Sequence, residues 1–221
     1  MRFKAVLFDM DGVIIDSEPL HHKAYHGMFR EVGIMVSDEL YESFTGQTTL
    51  QVCTQLVQYF KLNQAPKQLV NIKRSIFKQL FLHDPNLDLI TGVRELIQDY
   101  HNNGLTLVLA SSASMPTINN VFSRFELDRC FKAKLSGADL KASKPHPEIF
   151  LKAAEASGFK KEECIVIEDS TNGIKAAHAA GIYCVGFKSP HSKNQEYALA
   201  DKVISDFSEI RFERLKYSSL F

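Results

Sequence analysis

Four short stretches of this 221-residue chain carry side chains that could do chemistry together. Asp9-Met10-Asp11-Gly12, Ser111-Ser112 and Glu168-Asp169 each follow an apolar run, and Lys144-Pro145 stands just before a helical pattern. Packed carboxylates repel each other unless a cation joins them or one takes a proton. Such hard oxygen ligands suit Mg²⁺, which keeps waters and takes one or two carboxylates plus a phosphate oxygen. The Ser111 hydroxyl and the N–H groups after it could hold other phosphate oxygens, and Lys144 could neutralise charge on a transferring group. A carboxylate beside a phosphate can attack it and form an aspartyl phosphate. A second carboxyl two residues on can protonate the leaving oxygen and then activate water. Each fragment alone has a plain structural explanation: a turn, a lone hydroxyl, a solvated amine, a helix cap. Their shared place at strand ends is what suggests a site.

The elements that would position them follow from the apolar pattern. Candidate strands are Lys4 to Phe8, Leu105 to Ala110, Cys164 to Ile167, Tyr183 to Phe187 and Lys202 to Ile204. They are almost continuously apolar, as strands buried on both faces are. Helical stripes lie between them. One is Val93, Leu96, Ile97 and Tyr100; another is Ile118, Val121, Phe122 and Phe125. A third opens near Pro147, with Ile149, Phe150, Ala153 and Ala154 inward and Gly158 at its end, and a fourth is Ile174, Ala177 and Ala180 before Gly181. Alternating strands and helices predict an α/β fold: a Rossmann-like, doubly wound parallel sheet whose ligands bind beyond the strands' carboxyl ends. Residues 16–87 break the rhythm. Their stripes are all helical: Leu20, Ala24, Phe29, Val32; then Val52, Leu56, Tyr59; then Ile72, Ile76, Phe77, Leu80. We therefore expect a core of residues 1–15 and 88–221 with a small all-helical cap, 16–87, inserted after the first strand.

Composition narrows the class. Lys plus Arg and Asp plus Glu are both 26, so net charge is zero, which removes the main argument for binding nucleic acid or an anionic membrane. The apolar run before Asp9 is too short for a secretion signal, and no run of about 18 apolar residues exists to span a bilayer. Cys53, Cys130, Cys164 and Cys184 show no metal-binding spacing and read as reduced thiols of a cytoplasmic protein. No coiled-coil pattern points beyond a monomer.

Taken together, Phe8-Asp9-Met10-Asp11-Gly12-Val13, Ala110-Ser111-Ser112-Ala113, Ser143-Lys144-Pro145-His146-Pro147 and Glu168-Asp169-Ser170-Thr171-Asn172-Gly173 resemble the haloacid dehalogenase superfamily. The resemblance is to the branch of β-phosphoglucomutase and the sugar-phosphate phosphatases, and it covers essentially the whole chain. It implies that Asp9 is the nucleophile and a Mg²⁺ ligand, and that Asp11 is the general acid/base with its carbonyl on the metal. It implies Asp169 as a direct ligand and Glu168 as a direct or water-mediated one. Ser111, Ser112 and Lys144 correspond to the phosphate-binding groups. An acid at Asp11 fits phosphoryl transfer, where an oxygen must be protonated, rather than dehalogenation.

In that branch the cap selects the substrate. His21 corresponds to a cap His linked to the general acid/base, with a hinge or surface His as the alternative. Lys73 corresponds to a cap Lys near substrate, or else is an exposed helix Lys. His22 reads as structural or exposed. Gly46 matches a substrate-loop Gly. Thr49 stands where the mutase has an Arg that grips the second phosphate of a bisphosphate, and Thr offers no bidentate grip. Ala113-Ser114-Met115 likewise replaces a polar run. Both departures favour a Mg²⁺-dependent phosphatase acting on a small phosphorylated metabolite such as a sugar phosphate. A β-phosphoglucomutase-type mutase is the alternative. A non-catalytic phosphoacceptor is more distant, because receiver modules open with the acid pair and phosphorylate a later Asp, the reverse of the order here.

Overall fold

The computed structural model describes residues 3–44, 49–189 and 194–217. The chain forms two compact units, Met1–Asp16 with Asp88–Phe221, and Ser17–Leu87. In chain order, strand β1 (Ala5–Phe8) precedes four helices of the second unit: α1 (Glu18–Glu31), α2 (Asp38–Glu42), α3 (Thr49–Phe60) and α4 (Pro66–His83). The first unit resumes with α5 (Val93–Asn102), β2 (Thr106–Ser111), α6 (Met115–Phe125), β3 (Phe131–Ser136) and α7 (Glu148–Ser157). It ends with β4 (Cys164–Glu168), α8 (Thr171–Ala180), β5 (Tyr183–Phe187), β6 (Lys202–Ile204) and α9 (Phe212–Tyr217). No helix among the described residues is long and apolar enough to cross a membrane.

The strands form one parallel sheet in the order β3-β2-β1-β4-β5-β6. Every residue of β1 is buried, because helices cover both faces. Ala5 and Leu7 pack into one cluster with Ile149, Phe150 and Ala153 of α7 and Ile174 and Ala177 of α8. Phe8 points the other way, its ring 6.3 Å from Tyr100 of α5 and 5.6 Å from Phe131 of β3. All four helical stripes expected in this unit are buried. The Tyr100 hydroxyl, also buried, donates to the Ile210 carbonyl at 2.5 Å and ties the C-terminal segment to α5.

Strand β3 was absent from the sequence expectation. It pairs with β2 at the sheet edge, and its Phe-Lys-Ala-Lys-Leu-Ser run mixes charge with apolar residues, as edges do. Lys132 donates to the Ser157 carbonyl at the end of α7, and Lys134 pairs with Asp128, so neither ammonium opposes the strand.

The second unit is all-helical among its described residues, around Met28, Phe29, Val52, Cys53, Leu56, Leu69 and Val70. Two expected positions differ. Tyr59 is 70% exposed and stays out of the core. In α4 the fully buried line is Leu69, Val70, Lys73 and Phe81, with Ile72, Ile76, Phe77 and Leu80 only half-buried. The apolar stripe of α4 is wide, and a Lys on its face hid where the centre falls. All four cysteines are free, three of them buried.

Candidate active site

Register brings three strand ends level. Phe8 lies opposite Leu109 of β2 and Ile167 of β4, so Asp9, Ala110 and Glu168 leave the sheet side by side. The strand order reverses between β1 and β4, which is where open α/β sheets bind ligands. Asp9 donates its N–H to the Ile167 carbonyl at 3.0 Å, and the next residues turn sharply, with Ile14 and Ile15 N–H groups both on the Met10 carbonyl. Gly12 has φ +82°, and a Cβ there would lie 2.1 Å from Asp169 Oδ2. A side chain at residue 12 is thus excluded both by backbone conformation and by the carboxylate from the β4 loop. A Cβ on Gly173 would lie 1.7 Å from Glu168 Oε1, so the start of α8 is bare where that carboxylate rests.

Lys144 joins these loops. Its buried ammonium donates to Asp9 Oδ1 at 2.5 Å, Glu168 Oε1 at 2.8 Å and the Ala110 carbonyl at 3.1 Å, and it lies 4.8 Å from the Phe150 ring centre. Three acceptors satisfy its three protons. Burial alone would lower its pKa, but Asp9 and Glu168 outweigh burial and hold it above the ordinary lysine value. Burial raises the Asp9 pKa, the Glu168 and Asp11 carboxylates raise it further, and Lys144 opposes them. The other Glu168 oxygen, Oε2, accepts from the Ser170 N–H at 2.8 Å and its hydroxyl at 2.9 Å. Ser170 Oγ also caps α8 by accepting from the Gly173 N–H at 3.1 Å.

Ser111 is buried at the end of β2, its hydroxyl accepting from the Ala113 N–H at 3.0 Å. Ser136 of β3 donates to the Ala113 carbonyl, so this loop is held at both ends. Ser112 is exposed, and Asp11 is half-exposed beside buried Asp9 and Asp169.

In the second unit His21 and Lys73 meet: Lys73 Nζ donates to His21 Nδ1 at 2.7 Å. The acceptor nitrogen must be unprotonated, so His21 is neutral with its proton on Nε2. Burial, then the Lys73 charge, lowers its pKa to about 3. Its ring stacks on Phe77 at 4.3 Å, and Lys73 Nζ lies 4.9 Å from the ring centres of both Tyr25 and Phe77. Lys73 is therefore buried, against the alternative of an exposed helix Lys. Gly46 lies outside the described residues.

The sequence reading missed Ser170, Ser136, Tyr25 and Phe77 as supports. Ser170 carried a signal, being a cap residue before an apolar helical run. The other three only show their roles in three dimensions.

Asp9 and Glu168 share the Lys144 ammonium, Asp11 acts on Asp9, and Asp169 lies against Gly12 in the turn that follows Asp9, so four acids gather at these strand ends with one ammonium bridging two of them. This excess of negative charge fits a divalent cation. Among the described residues no three His, Cys, Asp or Glu side chains form a ready metal cluster. Mg²⁺ does not need one, since it binds through one or two carboxylates and completes its shell with water and phosphate oxygens.

The sequence matches the haloacid dehalogenase-like hydrolase family over residues 6–187, and the chain belongs to that family. Within it, this chain is 30% identical to hexitol phosphatase B of Escherichia coli K12 over 207 residues, 93% of each protein. It is 29% identical to a phosphorylated carbohydrates phosphatase of Thermotoga maritima over 202 residues, 90% of each. The crystal structure of β-phosphoglucomutase from Clostridium difficile aligns with a TM-score of 0.75 at 25% identity, over 97% of this chain and 96% of that one.

Proposed function

We propose that this hydrolase is a Mg²⁺-dependent phosphatase of a small phosphorylated carbohydrate, working through an aspartyl phosphate on Asp9. The observation that carries this reading is a buried carboxylate at the sheet's switch point, held by Lys144 and flanked by Asp11. The names of two relatives, a hexitol phosphatase and a phosphorylated carbohydrates phosphatase, support the substrate class.

An Asp9 carboxylate oxygen attacks phosphorus, and the bond from phosphorus to the substrate oxygen breaks. Asp11 gives its proton to that leaving oxygen. Asp11, now ionised, takes a proton from water as the water oxygen attacks phosphorus. The bond from Asp9 to phosphorus breaks, and inorganic phosphate leaves. Lys144 offsets charge on the phosphoryl oxygens, while Ser111 and the loop after it bind them. Asp9, Asp169 and the Asp11 carbonyl would hold Mg²⁺, which supplies further charge neutralisation. Both Glu168 oxygens already accept from protein donors, so Glu168 serves first to hold Lys144 and would reach the metal directly or through water. Substrate choice is assigned to the helical unit, where His21 and Lys73 form the polar pair.

The test is phosphate release from a panel of hexitol and sugar phosphates with Mg²⁺, alongside conversion of β-glucose 1-phosphate to glucose 6-phosphate. The expected result is phosphate release that falls by about 10³-fold or more in Asp9→Ala. Conversion to glucose 6-phosphate with little free phosphate would instead establish a mutase and overturn the argument from Thr49.

A further inference from the structure

Residues 194–201, between β5 and β6, form a strap pinned to the start of α8 and to β5 that the proposed reaction does not use. At one end Gln195 Oε1 accepts the Thr171 N–H at 2.8 Å and the Thr171 hydroxyl at 2.9 Å, while Thr171 Oγ1 accepts the Glu196 N–H at 2.8 Å. A backbone N–H can only donate, so it is the amide oxygen of Gln195 that faces Thr171. In the middle Tyr197 lies on Gly186, where a Cβ would stand 2.8 Å from Tyr197 Cδ1, and its hydroxyl donates to the Phe187 carbonyl at 3.3 Å. At the other end Asp201 Oδ2 accepts the Cys184 N–H at 2.7 Å. Gly186 is the register partner of Glu168, so the strap runs beside the acid pair. Burial, and then the Asp169 and Glu168 carboxylates, push the Tyr197 pKa up to about 12.

We propose that Gln195 is a positioning residue for Asp169, acting through Thr171. The inference rests on the reading of Asp169 as a Mg²⁺ ligand. Thr171 opens α8, and its N–H is one of the donors that a helix start leaves without an internal partner. The Ser170 hydroxyl takes the Gly173 N–H and Gln195 takes that of Thr171. An ordinary cap serves one donor from its own helix start. Gln195 comes from 24 positions along the chain and takes two donors of one residue. Glu168 is anchored through Ser170, so the turn that carries Asp169 is held on both sides, at Glu168 and at Thr171. Asp169 Oδ2 itself faces Gly12, where a Cβ would stand 2.1 Å away. The carboxylate is confined between that turn and a backbone held by Gln195. Without Gln195 the first turn of α8 frays, and the Asp169 backbone moves with it. Groups that orient a metal ligand set its affinity by about 10–100-fold.

The test is titration of the full chain with Mn²⁺, which takes the same oxygen ligands as Mg²⁺, with the free ion counted by electron paramagnetic resonance. The unaltered protein should bind Mn²⁺, and Asp169→Asn should lose that binding. Gln195→Met should weaken binding about tenfold and Thr171→Val about as much. The double variant should be no weaker than either, because both changes break one unit. Thr171→Val keeps the N–H and the side-chain shape, and it reads the same link if Gln195→Met does not fold. Gln195→Glu keeps an acceptor and Thr171→Ser keeps the hydroxyl, so each should restore most of the affinity. Ser157→Ala removes two hydrogen bonds at the end of α7 and should bind Mn²⁺ as the unaltered protein does. Equal binding by Asp169→Asn and the unaltered protein would overturn the reading of Asp169, and this inference with it. Loss in Asp169→Asn with full affinity in Gln195→Met and Thr171→Val would overturn the inference alone. So would a loss in Ser157→Ala as large as that in Gln195→Met, since it would trace the effect to general destabilisation.

Discussion

Lys144 is what lets two carboxylates sit together out of water. Its ammonium spans Asp9 and Glu168 and reaches the Ala110 carbonyl, so one side chain links the ends of β1, β2 and β4. Replacing it with Met leaves two buried carboxylates unbridged, and breaking a buried pair in this way costs about 3–5 kcal/mol. Lys144→Met should therefore unfold at lower urea in EDTA and lose at least about 10²-fold in kcat. A variant that kept its kcat would show that Lys144 does not offset charge in the reaction. The residues of this triad were legible in the sequence because each acid or amine stands at a strand end or before a helix. The bonds of Ser170 to Glu168 and the burial of Lys73 were not. A cap serine looks the same whether or not it also holds a buried carboxylate, and a Lys on an amphipathic helix looks solvated until its neighbours are placed.

Helix α8 shows how an element is made to serve the site. Ser170 Oγ accepts from the Gly173 N–H and donates to Glu168 Oε2, so one hydroxyl both starts the helix and fixes the carboxylate that holds Lys144. Losing a cap of this kind costs about 1 kcal/mol, and leaving a carboxylate oxygen short of a donor adds about as much. Ser170→Ala should lower unfolding free energy by about 2 kcal/mol in urea, with a drop in kcat and little change in KM. Ser170→Thr, which keeps a hydroxyl, should recover most of both, and a Thr variant as impaired as Ala would sink the capping argument. Five of the six strands were readable because burial on both faces makes them continuously apolar. Strand β3 was not, because an edge strand carries lysines whose partners, the end of α7 and Asp128, are distant or irregular in sequence. Tyr59 misled for a related reason: it has helical spacing with Val52 and Leu56 yet falls on the outer side of α3.

Across the whole molecule charge is balanced, 26 against 26, yet four acids lie at the strand ends of the sheet's switch point and a single bridging ammonium, Lys144, touches only Asp9 and Glu168 among them. That local excess predicts that a divalent cation stabilises the fold. At a Mg²⁺ concentration about 100 times Kd the gain is about 2.7 kcal/mol, or about 5–10 °C in Tm for a chain of this size. The effect should depend on pH, because proton and metal compete for Asp9. Without metal, burial, helped by Glu168 and Asp11 and opposed by Lys144, pushes the Asp9 pKa up from its ordinary value of 3.8 to about 7. Between those pH values the fold holds a proton that the unfolded chain has released, so the Asp9 contribution to stability falls as pH rises and levels off above about 7. A bound cation removes that penalty, so the rise in Tm on adding Mg²⁺ should grow from about pH 5 to about pH 7 and then level off. EDTA should reverse it, and Asp169→Asn should remove most of it. A Tm equal in Mg²⁺ and EDTA at pH 7 would mean that Lys144 alone balances the acids and that the site takes its cation only together with the phosphorylated substrate.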